Sequence, residues 1–280
     1  MPHSAALSAS DLAAPDLAAY LARIGYDGAV APTRAALNAL HLLHPQAIPF
    51  ENLDPLSGRT PPLDLPALVA KLVHSQRGGY CFEQNTLFKA VLEAFGFTVA
   101  QMSGRVMLGK PEEAQVARTH KLLRLTCEGQ DLLCDIGLGG QVLTGPMRLV
   151  PEIEQPTPHE PYRLDRSGEI WWLRAKVAGE WRLIYRFTLD ETWPIDDQLA
   201  NHYVATHPAS HFTHSLIAAR VLPQGRLALL NRRLSEHRLG EPSVIQEIAD
   251  DAALRAVLAQ RFGIEVEDEA WAKAVGNIAG

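Results

Sequence analysis

Cys81 stands in RGGYCFEQN (77–85), one residue beyond a glycine pair. It also opens an apolar repeat, Leu87, Phe88, Val91, Leu92 and Phe95, whose helical spacing stops at Gly96. The thiolate is the reactive form of cysteine, and an ordinary pKa near 8.5 leaves about 3% of it ionised at neutral pH. A helix N-terminus and a neighbouring imidazolium can bring that value below about 7. Gly78 and Gly79 allow a sharp turn and close backbone approach, and the amides that open the helix can hold a developing oxyanion. Arg77 and Glu83 have the charge and position to brace this turn. A free cysteine is also commonly an inert core residue, so position alone leaves both readings open.

A nucleophilic thiol needs a base, and His120 in RTHKLLRL stands at the mouth of an alternating strand. A base needs an orienter, and Asp135 in LLCDIGLGG is a carboxylate in an apolar strand, where an unpaired charge would be costly to bury. If the intervening residues form a hairpin with a two-residue loop, His120 and Asp135 share a face. A turn at Cys127 and Glu128 sets them opposite, one at Glu128 and Gly129 makes them diagonal neighbours, and one at Gly129 and Gln130 separates them.

Other reactive residues read more simply. His202, His207, His211 and His214 form a sequence cluster, but Pro208 interrupts the helix that would align His207 with His211 and no HExxH occurs; a polar loop explains them, and no metal is expected. His41 and His44 read as a boundary stripe on one helix. Cys127 and Cys134 read as structural, with Cys134 facing away from Asp135. One of Trp171 and Trp172 should be core and the other outward. Phe50 and Glu51 either line the pocket or lock the helical part against the catalytic turn, and EVEDEAW (265–271) reads as a solvated acidic stretch.

The elements that must position these groups fall into three parts. Residues 1–96 read as helices: Leu17, Tyr20, Leu21 and Ile24 up to Gly25, a second helix capped by Thr33 and running toward Pro45, a third from Asp64 to Gly78, and the Cys81 helix. Residues 97–192 carry β-rich runs (97–108, 120–128, 131–136, 169–177 and 180–189) with turns at EGQ, RSGE and VAGE, an antiparallel sheet or small barrel. Residues 193–280 mix a helix, two strands around LPQGR, and a helix with Leu254, Val257 and Leu258 on its apolar face. The three parts should pack as one body.

The chain has 280 residues, 47% hydrophobic and 21% charged, enough for an enclosed site. No apolar run approaches the roughly 20 residues of a membrane span. A net charge of −6 provides no field for a phosphate backbone, which argues against nucleic-acid binding. MPHSAALSASDLAAPD lacks the basic and apolar regions of a secretory signal, and three cysteines are too few for a disulfide framework, so a cytoplasmic location is expected.

The strings AIPFENLD (47–54), RGGYCFEQN, RTHKLLRL, LLCDIGLGG and NHYVATHPASHF (201–212), in this order, resemble the signature of the arylamine N-acetyltransferase family. The resemblance implies a Cys-His-Asp triad at Cys81, His120 and Asp135. It implies ping-pong transfer of acetyl from acetyl-CoA, with no metal, to an arylamine, arylhydrazine or N-arylhydroxylamine. It also implies an α+β fold with a cysteine-protease-like catalytic core: an N-terminal helical bundle, a central antiparallel β-barrel-like domain and a C-terminal α/β lid. CoA contacts would fall on Thr119, Gly139, Gly140 and Tyr203, and Phe50 and Leu138 would meet the acceptor. Leu138 stands where the family often has phenylalanine, which bears on acceptor preference. Three rival readings are an amide synthase joining a longer acyl chain to an aromatic amine, a papain-like or transglutaminase-like hydrolase, and a non-catalytic CoA-binding protein; the last has no need of all three triad residues.

Overall fold

The computed structural model describes residues 12–278; the N-terminal residues read for export signals lie mostly outside them. Helix α1 (Ala14–Ile24) ends where Gly25 turns into the left-handed region at φ 72°. Helix α2 (Arg34–Ala47) starts on Thr33, whose hydroxyl accepts from the Ala36 N–H at 3.2 Å. It runs through Pro45, two residues further than the proline predicts. Strand β1 (Phe50–Glu51) and α3 (Leu53–Leu56) follow, then α4 (Leu65–Leu68), capped by Asp64 and continued by a π-helical turn over Val69–His74. The third helix therefore stops before residue 78, leaving Gly78 free to pass beneath β1. There an added Cβ would meet the Pro49 carbonyl oxygen at 2.1 Å, so no other residue fits. Helix α5 (Cys81–Ala94) begins at the cysteine itself.

Eight strands then form a barrel-like antiparallel sheet: β2 (Val99–Val106), β3 (His120–Cys127), β4 (Gln130–Cys134), β5 (Met147–Arg148), β6 (Glu154–Gln155), β7 (Tyr162–Ser167), β8 (Ile170–Val177) and β9 (Glu180–Phe187). Their order is β5-β4-β3-β2-β9-β8-β7-β6. The short β5 and β6, and β7 with its run of charged residues, escape a search for apolar alternation. Helix α6 (Pro194–Thr206) leads into β10 (Ile217–Leu222), β11 (Gly225–Leu230), β12 (Arg233–Arg238) and β13 (Val244–Glu247). Strand β1 from the helical part pairs with β10, so the second sheet, ordered β1-β10-β11-β12-β13, joins the two ends of the chain. Helices α7 (Asp251–Val257) and α8 (Asp268–Gly276) close the C-terminal part. The acidic stretch at 265–271 is therefore not simply solvated: Val266, Ala270 and Trp271 bury into the core beneath β10 to β12.

Strand β3 divides two cores by alternation. Leu123 packs with Leu37, Leu40, Phe88 and Cys134 against the helices, whereas Leu122 packs with Met102, Leu133, Tyr162 and Tyr185 inside the barrel. Trp171 is in the barrel core, stacked on Phe187, and Trp172 turns to the other face. The architecture is α+β, helices first and the barrel-like sheet in the middle.

Candidate active site

The hairpin register fixes the first contact. Cys127 pairs with Gln130, so the two-residue loop is Glu128 and Gly129, with φ 52° and 73°, a turn whose twist suits a hairpin. Leu123 then faces Cys134, which places Asp135 opposite Leu122 and diagonal to His120, the intermediate of the three registers. Asp135 lies one residue beyond β4, and its Oδ2 is 2.7 Å from His120 Nε2. The other carboxylate oxygen accepts from Asn85 Nδ2 and from the Gly137 N–H, both at 2.9 Å. Cys134 points into the helical core, away from Asp135.

Cys81 sits at the first turn of α5, and its thiol donates to the Thr119 carbonyl at 3.6 Å. Its sulfur is also close enough to the His120 ring to help raise the imidazole pKa. Because Nε2 engages the carboxylate, Nδ1 is the nitrogen left for the thiol. All three side chains are nearly buried, with 5% of Cys81, 2% of His120 and none of Asp135 exposed. Burial alone would lower the imidazole pKa, but the charge and hydrogen bond of Asp135, together with the sulfur, push it up to about 10. Burial raises the Asp135 carboxyl, and His120, Asn85 and the Gly137 amide outweigh it, holding it below the ordinary carboxylate range. The site therefore holds an imidazolium against a carboxylate, beside the Cys81 sulfur.

The turn before Cys81 is held by charge. Arg77 binds Glu51 through Nε at 2.9 Å and Nη2 at 2.6 Å, so Glu51 braces the catalytic turn and does not line the pocket. Glu83 accepts from the Tyr80 N–H at 3.1 Å and from Lys71 Nζ at 2.6 Å, which caps the helix. Burial disfavours the Lys71 charge, yet Glu83, Glu51 and Asp54 raise its pKa above the usual lysine range.

Several residues that serve the site are missed by the sequence reading. Asn85, one turn after Cys81, donates to Asp135 and to the Lys121 carbonyl and accepts from the Ile136 N–H at 3.1 Å. Three consecutive polar residues, Glu83 to Asn85, inside an otherwise apolar helix are the signal that could have found it. His41 and His44 are not a boundary stripe: both are fully buried. His41 Nε2 accepts from the Asp135 N–H at 3.2 Å. His44 bonds Tyr20 Oη at 2.7 Å and Gln84 Oε1 at 2.5 Å, and Gln84 Nε2 donates to the carbonyls of Pro49 and Gly79. Burial drives the two imidazoles down to about 4 and about 3, so they are neutral scaffold groups.

Of the residues expected to meet ligands, Thr119 adjoins the thiol, and Gly139, at φ 83°, lies under Phe50, whose ring an added Cβ would meet at 3.3 Å. Phe50 clusters with Tyr80, Cys81 and Phe212. Leu138 packs between the two cores, and Gly140 lies near Ala228. Tyr203 stands on the outer face of α6, 41% exposed and stacked on His207, apart from this group. His207 is exposed in the loop after α6, but His202 is exposed on α6 itself, so a polar loop does not account for it. Among the described residues no group of three or more His, Cys, Asp or Glu side chains could hold a metal ion, and no helix is long and apolar enough to cross a membrane.

The model of the N-acetyltransferase family matches residues 33–271. The arylamine N-acetyltransferase of Mycolicibacterium smegmatis is 44% identical over 95% of this chain and 98% of that protein. The arylamine N-acetyltransferase / N-hydroxyarylamine O-acetyltransferase of Salmonella typhimurium is 41% identical over 90% of each. The solved structure of the Mycobacterium marinum arylamine N-acetyltransferase in complex with CoA superimposes with a TM-score of 0.89 at 39% identity, covering 94% of this chain and all of that one.

Proposed function

The chain belongs to the arylamine N-acetyltransferase family, and from that premise we propose that Cys81, His120 and Asp135 carry its transfer of acetyl from acetyl-CoA to an aromatic amine. The observation that supports this most is the 2.7 Å contact of His120 with Asp135 beside the sulfur that opens α5. In the first half-reaction the Cys81 thiolate attacks the thioester carbonyl carbon. The new C–S bond forms, the bond to the CoA sulfur breaks, and His120 Nδ1 gives its proton to the departing thiolate. Amides at the start of α5 stabilise the oxyanion while it lasts. In the second, the amine nitrogen attacks the acetyl-cysteine, passes a proton to His120, and the Cys81 thiolate leaves.

The Salmonella typhimurium relative's second name supports N-arylhydroxylamines as further acceptors, through their hydroxyl oxygen, and arylhydrazines, like arylamines, present an unprotonated nitrogen. Thr119, Gly139, Gly140 and Tyr203 are proposed contacts for CoA, with Phe50 and Leu138 toward the acceptor. A division into domains at residues 1–96, 97–192 and 193–280 is proposed, and the three cysteines, all buried as free thiols, support a cytoplasmic location.

Mixing the protein with acetyl-CoA alone and weighing it intact tests the assignment. An added acetyl mass is expected, and it should vanish in Cys81→Ala. No adduct, or one that survives the substitution, rejects Cys81 as the nucleophile.

A further inference from the structure

We infer that helix α6 is a clamp that sets the separation of Cys81 from His120, through two buried side chains one turn apart, Asp197 and Asn201. Asn201 accepts a short hydrogen bond from the Tyr80 hydroxyl and donates to the Pro61 carbonyl at 3.0 Å. Tyr80 is the residue before Cys81. Asp197 accepts from Lys121 Nζ at 2.7 Å, and Lys121 is the residue after His120. The two anchors, four residues apart, occupy one face of the helix about 6 Å apart along its axis. Each therefore grips the neighbour of one member of the reacting pair.

The Lys121 arm is a closed network. Its ammonium, 2% exposed, also donates to Thr86 Oγ1 at 2.9 Å on α5 and to Gln101 Oε1 at 3.2 Å on β2, while Gln101 Nε2 donates to Asp197 at 3.1 Å. One cation thus joins the cysteine helix, the barrel and α6. The apolar residues that α6 buries are small, Val204 and Ala205 with Ala200 partly covered, and Ala200 and Val204 pack in the Tyr80 and Cys81 cluster, while Ile195, Leu199 and Tyr203 point outward at 59%, 68% and 41% exposure. The polar anchors add direction to this packing. Burial lowers the Lys121 pKa and raises that of Asp197, so either charge left alone would be lost or would destabilise the fold.

The inference rests on Cys81 and His120 being the reacting pair. The charged groups that act on His120 and the two gripped residues are Asp135 on His120, Asp197 and Lys89 on Lys121, and Glu83 and Asp54 on Tyr80, with the Cys81 sulfur acting on all three. Two variants probe the clamp without changing net charge. Tyr80→Phe removes one hydroxyl; Lys121→Met combined with Asp197→Leu removes one charge of each sign and leaves neither buried alone. The readout is the rate of Cys81 alkylation by iodoacetamide from about pH 5 to about pH 9, beside the thermal midpoint. With the imidazolium less firmly placed, the alkylation profile should move up by about one pH unit in both variants, approaching about tenfold slower on its acid limb. A role in stability alone would lower the thermal midpoint and leave the profile in place, and that result in both variants overturns the clamp. If acetyl-CoA leaves no adduct on wild-type Cys81, the site assignment itself fails, and the clamp with it; an adduct in the wild type with unshifted variants overturns the clamp alone.

Discussion

Replacing Asp135 by asparagine keeps the shape of the site and removes its charge. In the native protein the His120 imidazole is pushed from 6.5 up to about 10, against its own burial, mainly by this carboxylate. That difference corresponds to about 5 kcal/mol of preference for the imidazolium. Asn85 Nδ2 and the Gly137 N–H both donate to one oxygen of residue 135 and would keep the asparagine oxygen, turning its NH2 toward His120. Nε2 must then accept, Nδ1 carries the proton, and no base faces the thiol. The corresponding tautomer error costs about 10⁴ in turnover in a serine protease triad, so kcat/KM for acetylation of an aromatic amine should fall by about 10³ to 10⁴. Alkylation of Cys81 at about pH 6 should fall with it. The linked stability has a definite window. The raised imidazole stabilises the fold fully below about 6.5 and loses that contribution as pH rises through about 10, and the depressed carboxyl contributes above 3.8 and loses it as pH falls through its lower folded value. Wild type and variant should therefore differ most in urea midpoint between about pH 4 and pH 6.5, and the difference should narrow as pH rises through about 10. A variant within tenfold of wild-type activity, or one whose alkylation profile is unchanged, would refute the ion-pair account.

Gly137→Ala would set a Cβ 2.8 Å from the Cys81 Cα and as close to Asn85 Nδ2, where ordinary contact begins near 3.4 Å. The cysteine turn must shift by about 0.6 Å, and a cut of about 10- to 100-fold in kcat/KM with about 1–3 kcal/mol lost in urea unfolding is expected; full activity would show that the turn has slack. His41 and His44, neutral because burial lowers them to about 4 and about 3, take up protons on unfolding below about 6.5, so stability falls as pH drops. At pH 5 the loss is about 2 kcal/mol for each, and His44→Gln should flatten the slope of urea midpoint against pH between about 7 and 5; an equal slope would place the acid sensitivity elsewhere.

The residues proposed to react were legible as a group because the proposed chemistry needs local context that a single chain displays: a glycine pair before a helix, a histidine at a strand's start, an acid at a strand's end. Alternation along β3 and β4 carried His120 and Asp135 to one face and Cys134 to the other. It could not choose among three turns, since Glu128, Gly129 and Gln130 are each compatible with a tight loop, and Glu128 adopts a positive φ that its residue type does not announce. The supporting shell was illegible for a different reason. A histidine between Leu43 and Pro45 reads the same whether its face meets water or Gln84, and only a partner 40 residues away makes His44 a satisfied core group. Lys121 and Asp197 are 76 residues apart, and each taken singly is an ordinary surface charge. Burial of such a pair costs several kcal/mol per ion unless geometry repays it, so a charge on the inward face of a catalytic strand is itself a demand for a partner. That demand says that a carboxylate must arrive but not from where, and here the fold answers it with the same helix face that also holds Tyr80.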